Sequence, residues 1–315
     1  MKAALAILVA LALGIGLLLL AHRGGNSGSG DGRQSLMVFC AAGIKNPVSA
    51  AAERYRDEFG VEVGLQYGGT GTLLSQLQVA RQGDLFIAAD ELSIAKGREA
   101  GVALEVIALC VQYPVIAVPI GNPKNITGLA DLFREDVRVA VANPEAASIG
   151  KRTRAALGER WDELAARVVV MKPTVTELAA DLSIGAVDAA VLWNSTVPQF
   201  KGLEAVAVPE FSDQRDTVSV AVLASSTGPA GALKFARYLA APEKGGRLFE
   251  EMGFETIPGD TWAEKPELIL FSGGVNRPAV EQTLAEFQER EGVTITTIFN
   301  GCGILCASMK AMKDT

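Results

Sequence analysis

The sequence predicts an α/β fold of two lobes joined by a hinge, and three observations support that reading. Hydrophobic residues make up 49% and aromatics only 6% of the 315 residues. That balance suits an Ala/Val/Leu-rich α/β core better than a sandwich or a disordered chain. From Leu36 onward, short β-rich runs alternate with amphipathic helical segments, the pattern of a parallel or mixed sheet covered by helices. The alternation occurs twice, and an extended segment, TVSVAVLAS, then returns toward the first half. A chain that builds one lobe, crosses to a second and comes back has two connections, a cleft for a ligand and a hinge.

Each element follows from its local sequence. LMVFCAA is a strand. PVSAAAERYRDEFG is a helix with Ala51, Tyr55 and Phe59 at four-residue spacing, closed by Gly60. VEVGLQY is the next strand, GGTG a turn, TLLSQLQVARQG a helix and DLFIAAD a third strand. VIALCVQYPVIAVPI is a long extended run interrupted by Pro114. VRVAVANP, ARVVVMKPT, AVDAAVLWNST and LEAVAVPEF are strands of the second half, with helices at ASIGKRTRAALG and TVTELAADLSIG. PAGALKFARYLAAPEKGGRLFEEMG supplies two helices and FETIPGD closes the domain. The expected folded domain is 36–262, with lobe 1 at about 36–115 and 216–262 and lobe 2 at about 116–215.

Residues Ala3 to Ala21 carry no charge. As a helix they would span roughly 28 Å, close to the hydrocarbon thickness of a bilayer. LLLLAHRGG offers no clean Ala-x-Ala, and no cysteine stands where a lipoprotein anchor would need one. Residues 1–23 are therefore expected to form an N-terminal hydrophobic helix anchored in the membrane, or else a removed signal peptide. Either way the domain is exported, on a flexible Gly/Ser tether at 24–35.

The chain also repeats itself. Sliding it by 232 positions (292 minus 60) pairs GVEVGLQYGGTGTLLSQL with GVTITTIFNGCGILCASM. Gly60/Gly292, Gly69/Gly301, Gly71/Gly303 and Leu73/Leu305 are identical, and LMVFCAAGIKNPV matches LILFSGGVNRPAV with one residue of slip. Residues 267–315 are thus expected to be the truncated start of a second, similar domain.

The net charge of −7 argues against a nucleic-acid partner. The single histidine, His22, lies outside the folded region, which removes histidine triads and His-containing zinc sites. Cys40 and Cys110 sit in apolar strands and read as small buried hydrophobes; Cys302 and Cys306 have no further ligands nearby for a metal. No cofactor is expected.

Three strand-to-helix junctions could bind a ligand: CAAGIKNP, YGGTGT and NPEAASIGKRT. A helix start carries free N–H donors and the positive end of the dipole, so several that converge make an anion site without Lys or Arg. Glycine would let the backbone approach the ligand, and Thr70, Thr72 and Ser148 could add hydroxyl donors. Taken singly, each junction reads first as an ordinary N-cap, and it is three of them in one two-lobed domain that point to a site. GGTG lacks the Gly-Lys-Ser/Thr of a P-loop. Lys151, Arg152 and Arg154 either attract anions or form a solvated face.

The order VFCAAG, YGGTGTL, GDLFIAAD, VAVANPEAASIG, AAVLWNST and KFARYLAAPEKGGRLFEEMGF resembles the periplasmic molybdate-binding proteins of ABC importers, over about Leu36 to Asp260. That resemblance implies a type II periplasmic-binding-protein fold, an oxyanion held between lobes by serine hydroxyls and backbone N–H groups, and an ABC permease as partner. The family's first-loop serine falls at Gly43, where only the N–H remains, and its second-loop serine at Thr70, followed by Gly71 and Thr72. Backbone donors of the second lobe map near Ile149 and Val175. The family's cleft tyrosine falls at Trp193, with Asn194 beside it, so an indole N–H replaces a phenol.

The expected function is therefore an extracytoplasmic receptor, not an enzyme, for a small oxyanion. Molybdate or tungstate comes first, then sulfate or phosphate; a ligand-sensing module of the same fold is the alternative. Catalysis is disfavoured because no nucleophile–base pair can be read.

Overall fold

A computed structural model describes residues 35–211 and 213–312. The expected anchor, nearly all of the tether and His22 lie outside the described residues. Among the described residues no helix is long and apolar enough to cross a membrane.

The chain runs β1 (Ser35–Ala41), α1 (Lys45–Phe59), β2 (Glu62–Gly68), α2 (Thr70–Ala80), β3 (Leu85–Ala88), α3 (Glu91–Glu99) and β4 (Ala103–Gln112). Next come β5 (Pro114–Pro119), β6 (Val139–Ala142), α4 (Ser148–Leu157), α5 (Trp161–Ala165), β7 (Val170–Lys172), α6 (Val175–Ser183), β8 (Ala189–Trp193) and β9 (Leu203–Val206). The return is β10 (Asp216–Leu223), α7 (Pro229–Ala240), α8 (Arg247–Glu251) and β11 (Glu255–Thr256). A final unit holds β12 (Glu267–Gly273), α9 (Arg277–Glu291), β13 (Thr294–Asn300) and α10 (Cys302–Met312).

The first lobe is a mixed sheet in the order β11-β4-β10-β3-β1-β2, and the second is β7-β6-β8-β5-β9. The strand that enters each sheet from the other lobe is an internal one. β10 lies antiparallel between β3 and β4, and β5 antiparallel between β8 and β9. The first crossing is the single residue Tyr113, at the break that Pro114 makes in the extended run; the second is 207–215. Two such tethers, from β4 to β5 and from β9 to β10, are the two connections of a hinge between lobes.

Lobe 1 buries both faces of its sheet, so its strands alternate between two cores. Val38 and Cys40 pack with Tyr55, Phe235, Tyr238 and Phe249, while Phe39 packs opposite with Leu73, Leu77 and Phe86. Tyr55 stands 4.9 Å from Phe235 and 5.1 Å from Tyr238. Helix α1 ends where Gly60 takes a φ of +68°, a conformation cheap only for glycine, and its N–H reaches Arg56 O at 2.7 Å. Cys40 and Cys110 are buried and unbridged, and burial pushes both thiols up.

In the final unit every strand and helix bound lies 232 positions after its counterpart in β1–α1–β2–α2, as in Lys45 to Arg277 (277 − 45) and Thr70 to Cys302 (302 − 70). The one-residue slip expected around LILFSGGVNRPAV is absent. Pairing is also equivalent, Ser35 with Glu62 and Glu267 with Thr294. Helix α9 lies along α7, where Arg237 donates to Glu291 O at 3.3 Å.

Helix α4 fastens lobe 2 to lobe 1. Arg152 makes a two-pronged ion pair with Asp216, at the start of β10, and Lys151 Nζ reaches Ser93 Oγ at 3.3 Å. The Asp216 side chain is fully buried. Burial pushes its carboxyl up while the Arg152 guanidinium pulls it back. Removing the cation would strand a buried carboxylate. Arg152→Met is expected to lower stability by on the order of 3 kcal/mol, read as a fall in the denaturation midpoint; an unchanged midpoint would show that the pair contributes nothing.

Candidate functional site

Four helical starts meet where the lobes face each other: the turn Ala42–Ile44 and α2 from lobe 1, and α4 and α6 from lobe 2. They enclose a cavity of about 20 Å³, lined from lobe 1 by 41–43, 68–70 and Ala89, and from lobe 2 by 147–149, 174–175 and Trp193. Such a space admits a compact head of a few atoms. Each start follows a strand end, so sheet pairing brings these loops to one edge.

The donors are uncharged. Among the described residues the amides of Thr70, Ser148, Ile149 and Val175 donate to no protein acceptor. At a first turn no carbonyl four residues back is available to them. Thr70 is buried, and its Oγ1 accepts the Ala89 N–H at 3.4 Å, which leaves the hydroxyl proton for the cavity. No Lys, Arg, Asp or Glu lines the cavity.

Gly43 explains the shape of the site. A Cβ added there would stand 2.8 Å from Val175 Cγ1, 3.6 Å from Thr196 Oγ1 and 3.8 Å from Trp193 Cδ1. Val175 occupies the space a serine would need, so the loss of a side chain at 43 is matched across the cleft. The buried Thr196 Oγ1 has no hydrogen-bond partner, and the Trp193 indole N–H donates to none of the described residues. Both polar groups border the space beside Gly43.

The structure brings together Gly43, Thr70, Ile149, Val175 and Trp193 as cavity lining; Gly71, Thr72 and Asn194 stand outside it. Thr72 is exposed on a separate groove. Asn194 braces the hinge: its Oδ1 accepts the Tyr113 N–H at 2.8 Å, and its own N–H donates to Tyr113 O at 2.9 Å. Ser148 donates its hydroxyl to Asp90 across the cleft, not into the cavity. Asp90 in turn caps α3, accepting the Ser93 N–H at 2.7 Å. Lys151, Arg152 and Arg154 bond to Ser93, Asp216 and Glu145 respectively.

Two glycines of GGTG, Gly69 and Gly71, meet the opposite lobe. Gly71 N donates to Ala146 O at 2.9 Å. A Cβ at Gly69 would lie 2.4 Å from Ala146 O, and one at Gly71 2.3 Å from Glu145 O. Neither carbonyl could retreat without separating the lobes. Gln112, wholly buried, was not singled out in the sequence; it links Ala89 O at 3.1 Å to the Ser195 hydroxyl at 3.1 Å. Gly71→Ala is expected to leave the fold intact, hold the lobes apart and weaken ligand binding at least tenfold, about 1.4 kcal/mol. Small-angle scattering and calorimetry together check this; wild-type compactness and affinity would contradict it.

Residues 36–255 match the family model of the bacterial extracellular solute-binding proteins. A binding protein of Haemophilus influenzae is 27% identical over 222 residues, 70% of this chain and 90% of that protein. The molybdate-binding protein ModA of Mycobacterium tuberculosis is 26% identical over 233 residues, 72% of this chain and 87% of that protein. Among solved structures, the periplasmic molybdate-binding protein of Azotobacter vinelandii aligns with a TM-score of 0.62 at 18% identity, over 71% of this chain and 99% of that one. That last likeness is one of fold, the two-lobed periplasmic-binding-protein architecture. With the family model covering most of the chain, this protein belongs to the bacterial extracellular solute-binding proteins.

Proposed function

We propose that this protein is the extracytoplasmic receptor for a tetrahedral oxyanion and delivers it to the permease of an ABC importer. The observation that carries the reading is the set of unpaired amides at Thr70, Ser148, Ile149 and Val175, which come from both lobes and face one small cavity. An anion entering the open cleft meets the positive ends of helices on one lobe, then gains the second set as the lobes close. Closure follows because the closed form makes more bonds to the ligand than the open form. Charge-assisted N–H···O⁻ bonds are short and strong, so neutral donors suffice without a cationic side chain.

Molybdate or tungstate is the first choice for the anion, supported by the relatives named for molybdate. Gly43 and Trp193 are the positions where selectivity would depart from theirs. Family membership favours binding over turnover. An anchor at 1–23 would keep the receptor beside its permease. We read 267–312 as a second copy of the opening of lobe 1, supported by the constant 232-position offset of its elements.

Thr70→Val removes one buried hydroxyl while keeping shape. It is expected to weaken oxyanion affinity by about 1–3 kcal/mol in calorimetric titrations with molybdate, tungstate, sulfate and phosphate. No binding of any of the four by the unaltered protein would overturn the proposal; wild-type affinity in the variant would remove Thr70 from it.

A further inference from the structure

The cavity at the lobe interface is not sealed. It shares Ala42, Gly68 and Thr174 with an adjoining chamber of about 400 Å³, which opens between α1, β2 and the start of α6. A bare tetrahedral ion would leave this chamber to water. Its walls are polar, with Lys45, Asn46, Tyr67, Thr176, Glu177 and Gln199 among them, so it is not suited to an apolar tail.

One wall carries an uncommitted cation. Lys45 is exposed and forms no ion pair among the described residues. Its Nζ lies 5.3 Å from the centroid of the Tyr67 ring, a position that a cation–π attraction favours. The ring is itself held, because the Tyr67 hydroxyl meets Ser49 Oγ at 2.6 Å. The opposite wall carries the Glu177 carboxylate, which accepts the Thr174 hydroxyl at 2.9 Å and would repel a second anion. Across the lobes Asn46 Nδ2 donates to Gln199 Oε1 at 2.7 Å and limits how far a ligand can extend.

Resting on the oxyanion-receptor reading, we infer that beside a bare oxyanion the site takes a small organic oxyanion: a phosphate-type head in the inner cavity, joined to a short tail whose carboxylate pairs with Lys45. The head takes the helix-start amides. The tail takes the one ammonium placed for it, away from Glu177. This makes Lys45 a specificity-determining residue that sees the tail and not the head.

The test is calorimetry on the full chain with molybdate, inorganic phosphate and 2-phosphoglycolate, with the unaltered protein and with Lys45→Met. The expected result is that 2-phosphoglycolate binds at least tenfold tighter than phosphate to the unaltered protein. Lys45→Met should erase that advantage while leaving phosphate affinity within twofold. An advantage that is missing, or that survives Lys45→Met, overturns the inference and leaves the oxyanion reading standing. Failure of all three ligands to bind the unaltered protein overturns both.

Discussion

The structure depends on backbone meeting backbone across the cleft. The first turn of α2 touches the 145–146 loop of the other lobe so closely that only glycine fits at 69 and 71, and Gly71 N donates directly to Ala146 O. That contact sets how near the four helix starts can come. Helix-terminus fields fall off within a turn, so donors a few ångströms further apart would act separately and not on one anion. The cavity's chemistry is therefore a consequence of packing between lobes, and the hinge residues serve it.

The acidic character of the chain is compatible with this. Asp90 stands beside the cavity, yet its oxygens are engaged by Ser93 and Ser148, and it joins the lobes by accepting from Ser148. Arg152 pairs with Asp216 and Arg154 with Glu145, so the positive side chains of α4 serve lobe contact and surface. What remains facing the cavity is neutral amide and hydroxyl. A donor set of that kind favours an anion without the long-range attraction that would draw in every anion alike. Selection then rests on size and on the few polar groups beside Gly43.

Much of this was legible in the sequence. The alternation of strand and helix, the return segment and the apolar spacing of Ala51 and Tyr55 all reflect local rules of period and capping. The cavity-lining positions Gly43, Thr70 and Ile149 fall within the three strand-to-helix junctions that the sequence shows, whereas Val175 and Trp193 came from the family resemblance alone. Thr72 and Asn194 were drawn in by adjacency to such positions, but neighbouring residues face different ways, and Asn194 turns to Tyr113. The role of Gly69 and Gly71 was not legible, since their constraint comes from carbonyls more than seventy residues away. The same holds for Gln112 and Thr196, whose surroundings exist only once both lobes are assembled. In the final unit the equal spacing of elements follows directly from the sequence match, whereas its packing of α9 on α7 does not.

The central claim is that uncharged amides from both lobes grip one anion together. Backbone ¹⁵N–¹H spectra recorded during titration with molybdate and with phosphate test it most directly. The account predicts that Thr70, Ser148, Ile149 and Val175 shift downfield in concert and saturate at one anion per chain. Shifts confined to one lobe, or spread over surface lysines and arginines while these four stay still, would contradict it.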